Sequence, residues 1–82
     1  GIALGLASSS PRNWIEMVIE RFSFGEHFGA VVSADDLSGP SKPDPTIYRI
    51  TAEKLGMRAS SCLAIEDAEK GLISASTAGM FC

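Results

Sequence analysis

Three clusters of polar side chains in this sequence are of the types that handle phosphate. Ser8-Ser9-Ser10 closes an apolar run and precedes Pro11, so hydroxyls and backbone N–H groups gather where a helix starts, which makes an anion site. Lys42 lies in Ser41-Lys42-Pro43-Asp44-Pro45, and a lysine in a loop stiffened by prolines is a point charge that can meet a phosphoryl oxygen. Glu66-Asp67 pairs two carboxylates, hard oxygen donors that suit Mg2+. Phosphate site, cation and metal-binding acids together describe phosphoryl transfer. Each cluster also has a plain reading: a helix cap, an ordinary loop, and an acidic pair favoured by a helix dipole. Their joint order is what gives them weight.

The elements that must position them follow from apolar periodicity. Ile2 to Ala7 is a short apolar run suited to a strand buried on both faces. Ser10-Pro11 reads as an N-cap and first helical residue, and the spacing predicts a helix over 11–22. Its core stripe is expected at Trp14, Met17, Val18 and Phe22, flanked by Ile15 and Ile19, with Arg12, Glu16, Glu20 and Arg21 outward. An irregular stretch, Ser23 to Phe28, leads to a second strand at Gly29-Ala30-Val31-Val32-Ser33. Asp35 to Asp44 is a loop rich in Asp, Ser, Gly and Pro. Asp44-Pro45 repeats the capping signal ahead of a helix carrying Ile47, Ile50 and Leu55, with Tyr48 and Ala52 beside them and Gly56 as its stop. Cys62 to Ile65 is a third strand, followed by a third helix with Leu72, Ile73, Ala75 and Ala78 that ends at Gly79. Such alternation predicts a three-layer, Rossmann-like α/β fold: a parallel sheet with helices on its faces. In such sheets ligands bind beyond the carboxyl ends of the strands, at or near which all three polar clusters fall.

With these motifs in order, the chain resembles the haloacid dehalogenase superfamily, in its β-phosphoglucomutase-like and phosphoglycolate-phosphatase-like branch. Gly5-Leu6-Ala7-Ser8-Ser9-Ser10-Pro11 is similar to that branch's second motif. Ser41-Lys42-Pro43-Asp44-Pro45-Thr46-Ile47-Tyr48 is similar to the lysine motif, and Cys62-Leu63-Ala64-Ile65-Glu66-Asp67-Ala68-Glu69-Lys70-Gly71 to the acidic fourth motif. The resemblance implies that Ser8 hydrogen-bonds the phosphoryl group, helped by Ser9, and that Lys42 neutralises it and steadies the nucleophile. It implies that Asp67 binds Mg2+, with Glu66 as a further ligand or holding the water ligands. Gly71 would let the last helix pack close to the loop, and relatives point to a cis bond at Lys42–Pro43. The substrate class would be a small phosphorylated metabolite such as a sugar phosphate, hydrolysed or isomerised through a phosphoaspartate.

Two features depart from the family pattern. No Asp-x-Asp run occurs, so the nucleophile and the general acid–base of the first motif are missing. Ala68 stands where that branch usually has Ser. Asp35-Asp36 does not replace the first motif; it reads as a solvated or capping pair. The first residue is Gly1 and the chain runs at once into an apolar segment, so residues 1–82 read as the C-terminal half of a core domain, cut at both ends, lacking the central first-motif strand and the cap. Alone it is expected to be inactive. A non-catalytic α/β module, receiver-like or protein-binding, explains the alternation equally well, but not the three polar clusters.

Composition bounds the rest. Eighty-two residues make at most one small domain; the net charge of −3 contains no basic block, which argues against nucleic acid as a partner. No apolar run approaches the roughly 18 residues of a membrane span. Cys62 and Cys82 each lie in an apolar stretch without a CxxC or His cluster, so buried reduced thiols in a cytoplasmic protein are expected, and the parent enzyme is expected to be a monomer. His27 has no partner at ligand spacing and reads as structural.

Overall fold

The computed structural model describes residues 2–22, 27–39 and 42–82. Most of the irregular stretch expected before the second strand, Ser41 of the lysine loop, and the side chain of Phe22 lie outside the described residues. Strand β1 (Gly5–Ser8) leads into helix α1 (Arg12–Phe22), strand β2 (Ala30–Ser33) and a 3₁₀ turn at Ala34–Asp36. Helix α2 (Thr46–Lys54), a second 3₁₀ turn at Ala59–Ser61 and helix α3 (Glu69–Thr77) follow. β1 and β2 are parallel, with Gly5 opposite Ala30 and Ser8 opposite Ser33. A parallel bridge joins Leu63 to Phe81.

Alternation along β1 divides the two faces of the sheet. Leu6 and Ser8 line a groove with Trp14, Ile15 and Val18 of α1. Gly5 comes against Thr51 and Leu55 on the α2 side, and Ala7 joins the core of Val32, Ile47, Tyr48, Ala64 and Ala75. Helices thus cover both faces, and the fold is Rossmann-like as expected. α2 stops where Gly56 takes φ +69°, a left-handed conformation that only glycine adopts without strain.

Several expectations about phase need correction. In α1 the inward residue is Ile15, at 5% exposure, whereas Trp14, Met17 and Val18 are exposed, Trp14 at 59%. Two strands are too narrow a surface to cover the whole apolar face of the helix. Arg12 does not point outward. Its guanidinium pairs with Asp36 and donates to the Val31 carbonyl at 2.8 Å. The capping of α1 also comes from elsewhere: the Asp35 carboxylate accepts from the Arg12 N–H at 2.9 Å, while Ser10 offers its carbonyl to Ser33 Oγ at 2.7 Å. Asp35-Asp36 is therefore a capping pair, as expected, and it caps two elements at once, since Asp36 also accepts from the Ser33 N–H. In α3 the buried residues are Gly71, Ser74 and Ala75, whereas Leu72 and Ile73 are exposed. Small side chains let α3 approach the lysine loop, where Ser74 Oγ donates to the Asp44 carbonyl at 2.7 Å.

The third strand is reduced to its bridge. Leu63 is 69% exposed and Ile65 93%, while Ala64 between them is buried, because among the described residues this segment pairs only on the Phe81 side. Both cysteines are free thiols. Cys62 is half-buried, but Cys82 is exposed, one residue beyond the bridge, so burial holds for neither in full. His27 is exposed.

Candidate functional site

The carboxyl end of β1, the loop before α2 and the segment before α3 meet at one lysine. Lys42 Nζ donates to the Ala7 carbonyl at 3.2 Å and to Glu66 Oε2 at 2.9 Å. Its side chain is 13% exposed and that of Glu66 11%, so the ion pair is largely withdrawn from water. Ser8 and Asp67 each lie one residue beyond these anchors, which brings all three polar clusters to one edge of the sheet. The Lys42–Pro43 bond is cis, as the resemblance implied. The lysine loop is fixed at its far end by Asp44, whose Oδ1 accepts from the Thr46 N–H at 2.9 Å; α2 accordingly starts one residue later than the capping signal suggested.

Both oxygens of Glu66 are engaged. Oε2 accepts from Lys42 and from the Tyr48 hydroxyl at 2.7 Å; Oε1 accepts from the Asp67 and Ala68 N–H groups at 3.2 and 3.3 Å. These donors, Tyr48 first and Lys42 second, hold the carboxyl at about 2, well below its ordinary value. Burial pushes the Tyr48 phenol up, and its bond to Glu66 adds to the effect. Sequence reasoning placed Tyr48 beside a helix stripe and missed this role. The signal available was its position six residues after Lys42, in the first turn of α2. Gly71 holds α3 against the same carboxylate: a Cβ there would lie 2.0 Å from Glu66 Cδ.

A cleft of about 460 Å³ opens here, lined by Ser9, Lys42, Glu66, Ala68, Lys70 and Gly71. Of the residues expected to meet phosphate, Ser9 and Lys42 line it. Ser8 does not: it belongs to the α1 face of β1, and its Oγ accepts from the Ser10 N–H at 3.1 Å. Asp67 is exposed, and its carboxylate takes part in none of the hydrogen bonds or ion pairs among the described residues. No group of three or more His, Cys, Asp or Glu that could hold a metal occurs among them. Glu66 and Asp67 remain a donor set of the right kind for Mg2+, which commonly takes one or two carboxylates and completes its shell with water and phosphate.

Two expected outcomes follow from this geometry. The folded-state values of Glu66 and Asp36 are both about 2, against ordinary values of 4.5 and 3.8. At acid pH the unfolded chain therefore binds more protons. The stabilisation is complete above about pH 5 and is lost as pH falls through the ordinary carboxylate range towards about 2. Urea unfolding followed between pH 7 and 2 should show this fall, and Glu66→Gln should flatten part of it; a midpoint independent of pH would contradict the assignment. The second concerns Ala68, the N-cap residue of α3, which has extended backbone (φ −103°, ψ 142°) and no side-chain cap. Ala68→Ser supplies an acceptor for the first turn and should stabilise the protein by about 1 kcal/mol. Measured on residues 1–82 by themselves, that raises Tm by about 4–8 °C, and by less in a longer protein; an unchanged or lower Tm would count against it.

Comparison with known proteins bears on this site. The sequence model of haloacid dehalogenase-like hydrolases matches residues 1–82. Hexitol phosphatase B of Escherichia coli K12 is 40% identical over 80 residues, covering 98% of this chain and 36% of the relative. β-Phosphoglucomutase of Bacillus subtilis is 41% identical over 80 residues, covering 98% of this chain and 34% of the relative. The crystal structure of CbbY from Rhodobacter sphaeroides in complex with phosphate superposes with a TM-score of 0.89 at 29% identity, covering 98% of this chain and 36% of that one. The chain thus spans about a third of the length of the relatives it matches.

Proposed function

The chain belongs to the haloacid dehalogenase-like hydrolases, and on that premise we propose that residues 1–82 are the phosphate-receiving part of an Mg2+-dependent phosphatase or phosphomutase acting on a small phosphorylated metabolite. The observation that carries this reading is Lys42. An ammonium has three N–H donors, and here two are committed, to Ala7 and Glu66, beside a cleft lined by Ser9. The third is aimed by its neighbours rather than by its own flexible stem, so a phosphoryl oxygen entering the cleft meets a pre-oriented charge. Ser9 lines the same cleft and brings a neutral polar side chain to the anion, with Ser8 next to it at the strand end. Relatives named for hexitol phosphatase and β-phosphoglucomutase activity point to sugar or sugar-alcohol phosphates as the substrate class.

Asp67 would hold Mg2+, with Glu66 as a further ligand or as the group that holds its water ligands, and the metal would supply charge neutralisation to the phosphoryl oxygens. The nucleophile of the phosphoaspartate route belongs to no residue from 1 to 82, since the sequence has no Asp-x-Asp run. Within this reading residues 1–82 form a partial core domain of a monomeric cytoplasmic enzyme. No helix among the described residues is long and apolar enough to cross a membrane.

The test is phosphate release from a panel of sugar phosphates by the full-length protein with Mg2+. Turnover that is lost on chelation, lost in Lys42→Ala and Asp67→Ala, and absent from isolated residues 1–82 is the expected result. No turnover by the full-length protein on any phosphate ester would overturn the proposal. Turnover by residues 1–82 alone that disappears in Asp67→Ala would overturn the placement of the nucleophile outside them.

A further inference from the structure

We infer that Tyr48 is a positioning residue for this site: its hydroxyl and its ring together hold Glu66 and Lys42 in the one arrangement that points the lysine into the cleft. Three observations meet here. Tyr48 is 8% exposed and sits in the first turn of α2, in the core with Val32, Ile47, Ala64 and Ala75, so its ring has little room to move. Its hydroxyl donates to Glu66 Oε2 at 2.7 Å, the same oxygen that receives Lys42. The Lys42 ammonium lies 5.2 Å from the centre of its ring, within range of a cation–π contact.

The geometry limits the choices open to each partner. A glutamate has three rotatable bonds and a lysine four, and a pair of such chains left to itself populates many geometries. Tyr48 has a buried ring and a hydroxyl at a fixed height above it. By occupying one lone pair of Oε2 it leaves the other for Lys42, and with Oε1 committed to the Asp67 and Ala68 N–H groups the carboxylate cannot rotate without breaking several bonds. The ring face then closes one side of the ammonium. Tyr48 touches no substrate in this arrangement; it acts through Lys42.

The inference rests on the phosphate reading of the cleft for its catalytic consequence, but the clamp is measurable by itself. In the full-length protein at low temperature, the proton–nitrogen correlation signal of the Lys42 ammonium reports whether that group is held or exchanges freely with water. The clamp predicts a persistent signal in the wild type that is lost in Tyr48→Phe, which keeps the ring and its packing but not the hydroxyl. It also predicts that Tyr48→Phe lowers kcat for a sugar phosphate roughly tenfold, the loss expected for one hydrogen bond to a charged group, with KM little changed. Tyr48→Leu, which removes the ring as well, should lower it further. A signal that persists in Tyr48→Phe, or kcat equal to wild type, overturns the inference. A wild-type ammonium already lost to exchange overturns it without any variant. A wild type that releases no phosphate from any ester, yet has a Lys42 signal freed by Tyr48→Phe, keeps the clamp and removes the phosphate reading.

Discussion

On the proposed function, replacing Lys42 by Met is expected to abolish most phosphate release by the full-length protein and to destabilise the fold by about 3 kcal/mol. The stability loss arises because Glu66, 11% exposed, would keep its charge among Tyr48 and two backbone N–H groups with no cation beside it. Removing one member of a withdrawn ion pair strands the other, which costs more than the pair itself is worth. The activity loss has another origin: one pre-aimed donor to the developing charge contributes on the order of a hundred- to a thousandfold in rate. The two effects separate in a double variant. Lys42→Met with Glu66→Gln puts a neutral amide beside the thioether, so stability should recover while turnover stays low. Denaturant unfolding and phosphate release on the three proteins measure this. Full activity in Lys42→Met, or a double variant no more stable than Lys42→Met alone, would sink the account.

Gly71→Ala should do comparable damage from the opposite side. The added methyl would lie 2.0 Å from Glu66 Cδ and 2.1 Å from Oε2, well inside contact. A glutamate tip on the surface would swing away at little cost. This one is pinned by four donors, so yielding means giving up Lys42 and Tyr48. Overpacking of this kind costs about 1–3 kcal/mol, and here the displaced group is the lysine's own anchor. Turnover of the full-length enzyme should fall with stability. The decisive comparison uses Glu66→Ala as background, where space is open and the same Gly71→Ala change should be close to neutral in unfolding experiments. Equal cost in both backgrounds would show that helix packing, not the carboxylate, is what the methyl disturbs.

The layout of the site was legible because it depends on the ends of elements, which leave strong marks. Pro11, Pro45 and Gly56 set helix boundaries by backbone geometry alone, and these fall within a residue or two of where α1 and α2 begin and α2 ends. Lys42 and Glu66 follow from them. What sequence could not supply was rotation about each element's axis. The apolar stripes of α1 and α3 are ambiguous because each helix carries apolar residues round more than half its circumference, and the narrow sheet covers only part of that. Parity in β1 is similar: Ala7 faces α2, so Ser8 faces α1, and Ser9 is the serine that reaches the cleft. Cross-chain partners are harder still. Nothing near Arg12 in sequence announces Asp36, and Tyr48 looked like core because it is core, with a hydroxyl that serves a carboxylate eighteen residues away.

The inverted burial around Ala64 has a colloidal consequence. Leu63 and Ile65 project outward from a segment whose backbone, among the described residues, is paired on one side only, which leaves an edge that adjacent molecules can add to. Charge keeps molecules of these 82 residues apart, and there is little of it: the net value is −3 at neutral pH, and the composition places its zero near pH 4.9, with Glu66 and Asp36 moving it somewhat lower in the folded form. At that pH the Glu66 and Asp36 carboxylates, both held near 2, are still ionised and the fold still has their support. Titrated slowly towards acid, residues 1–82 are therefore expected to come out of solution while Glu66 and Asp36 still hold their partners, with turbidity that reverses on return to neutral pH.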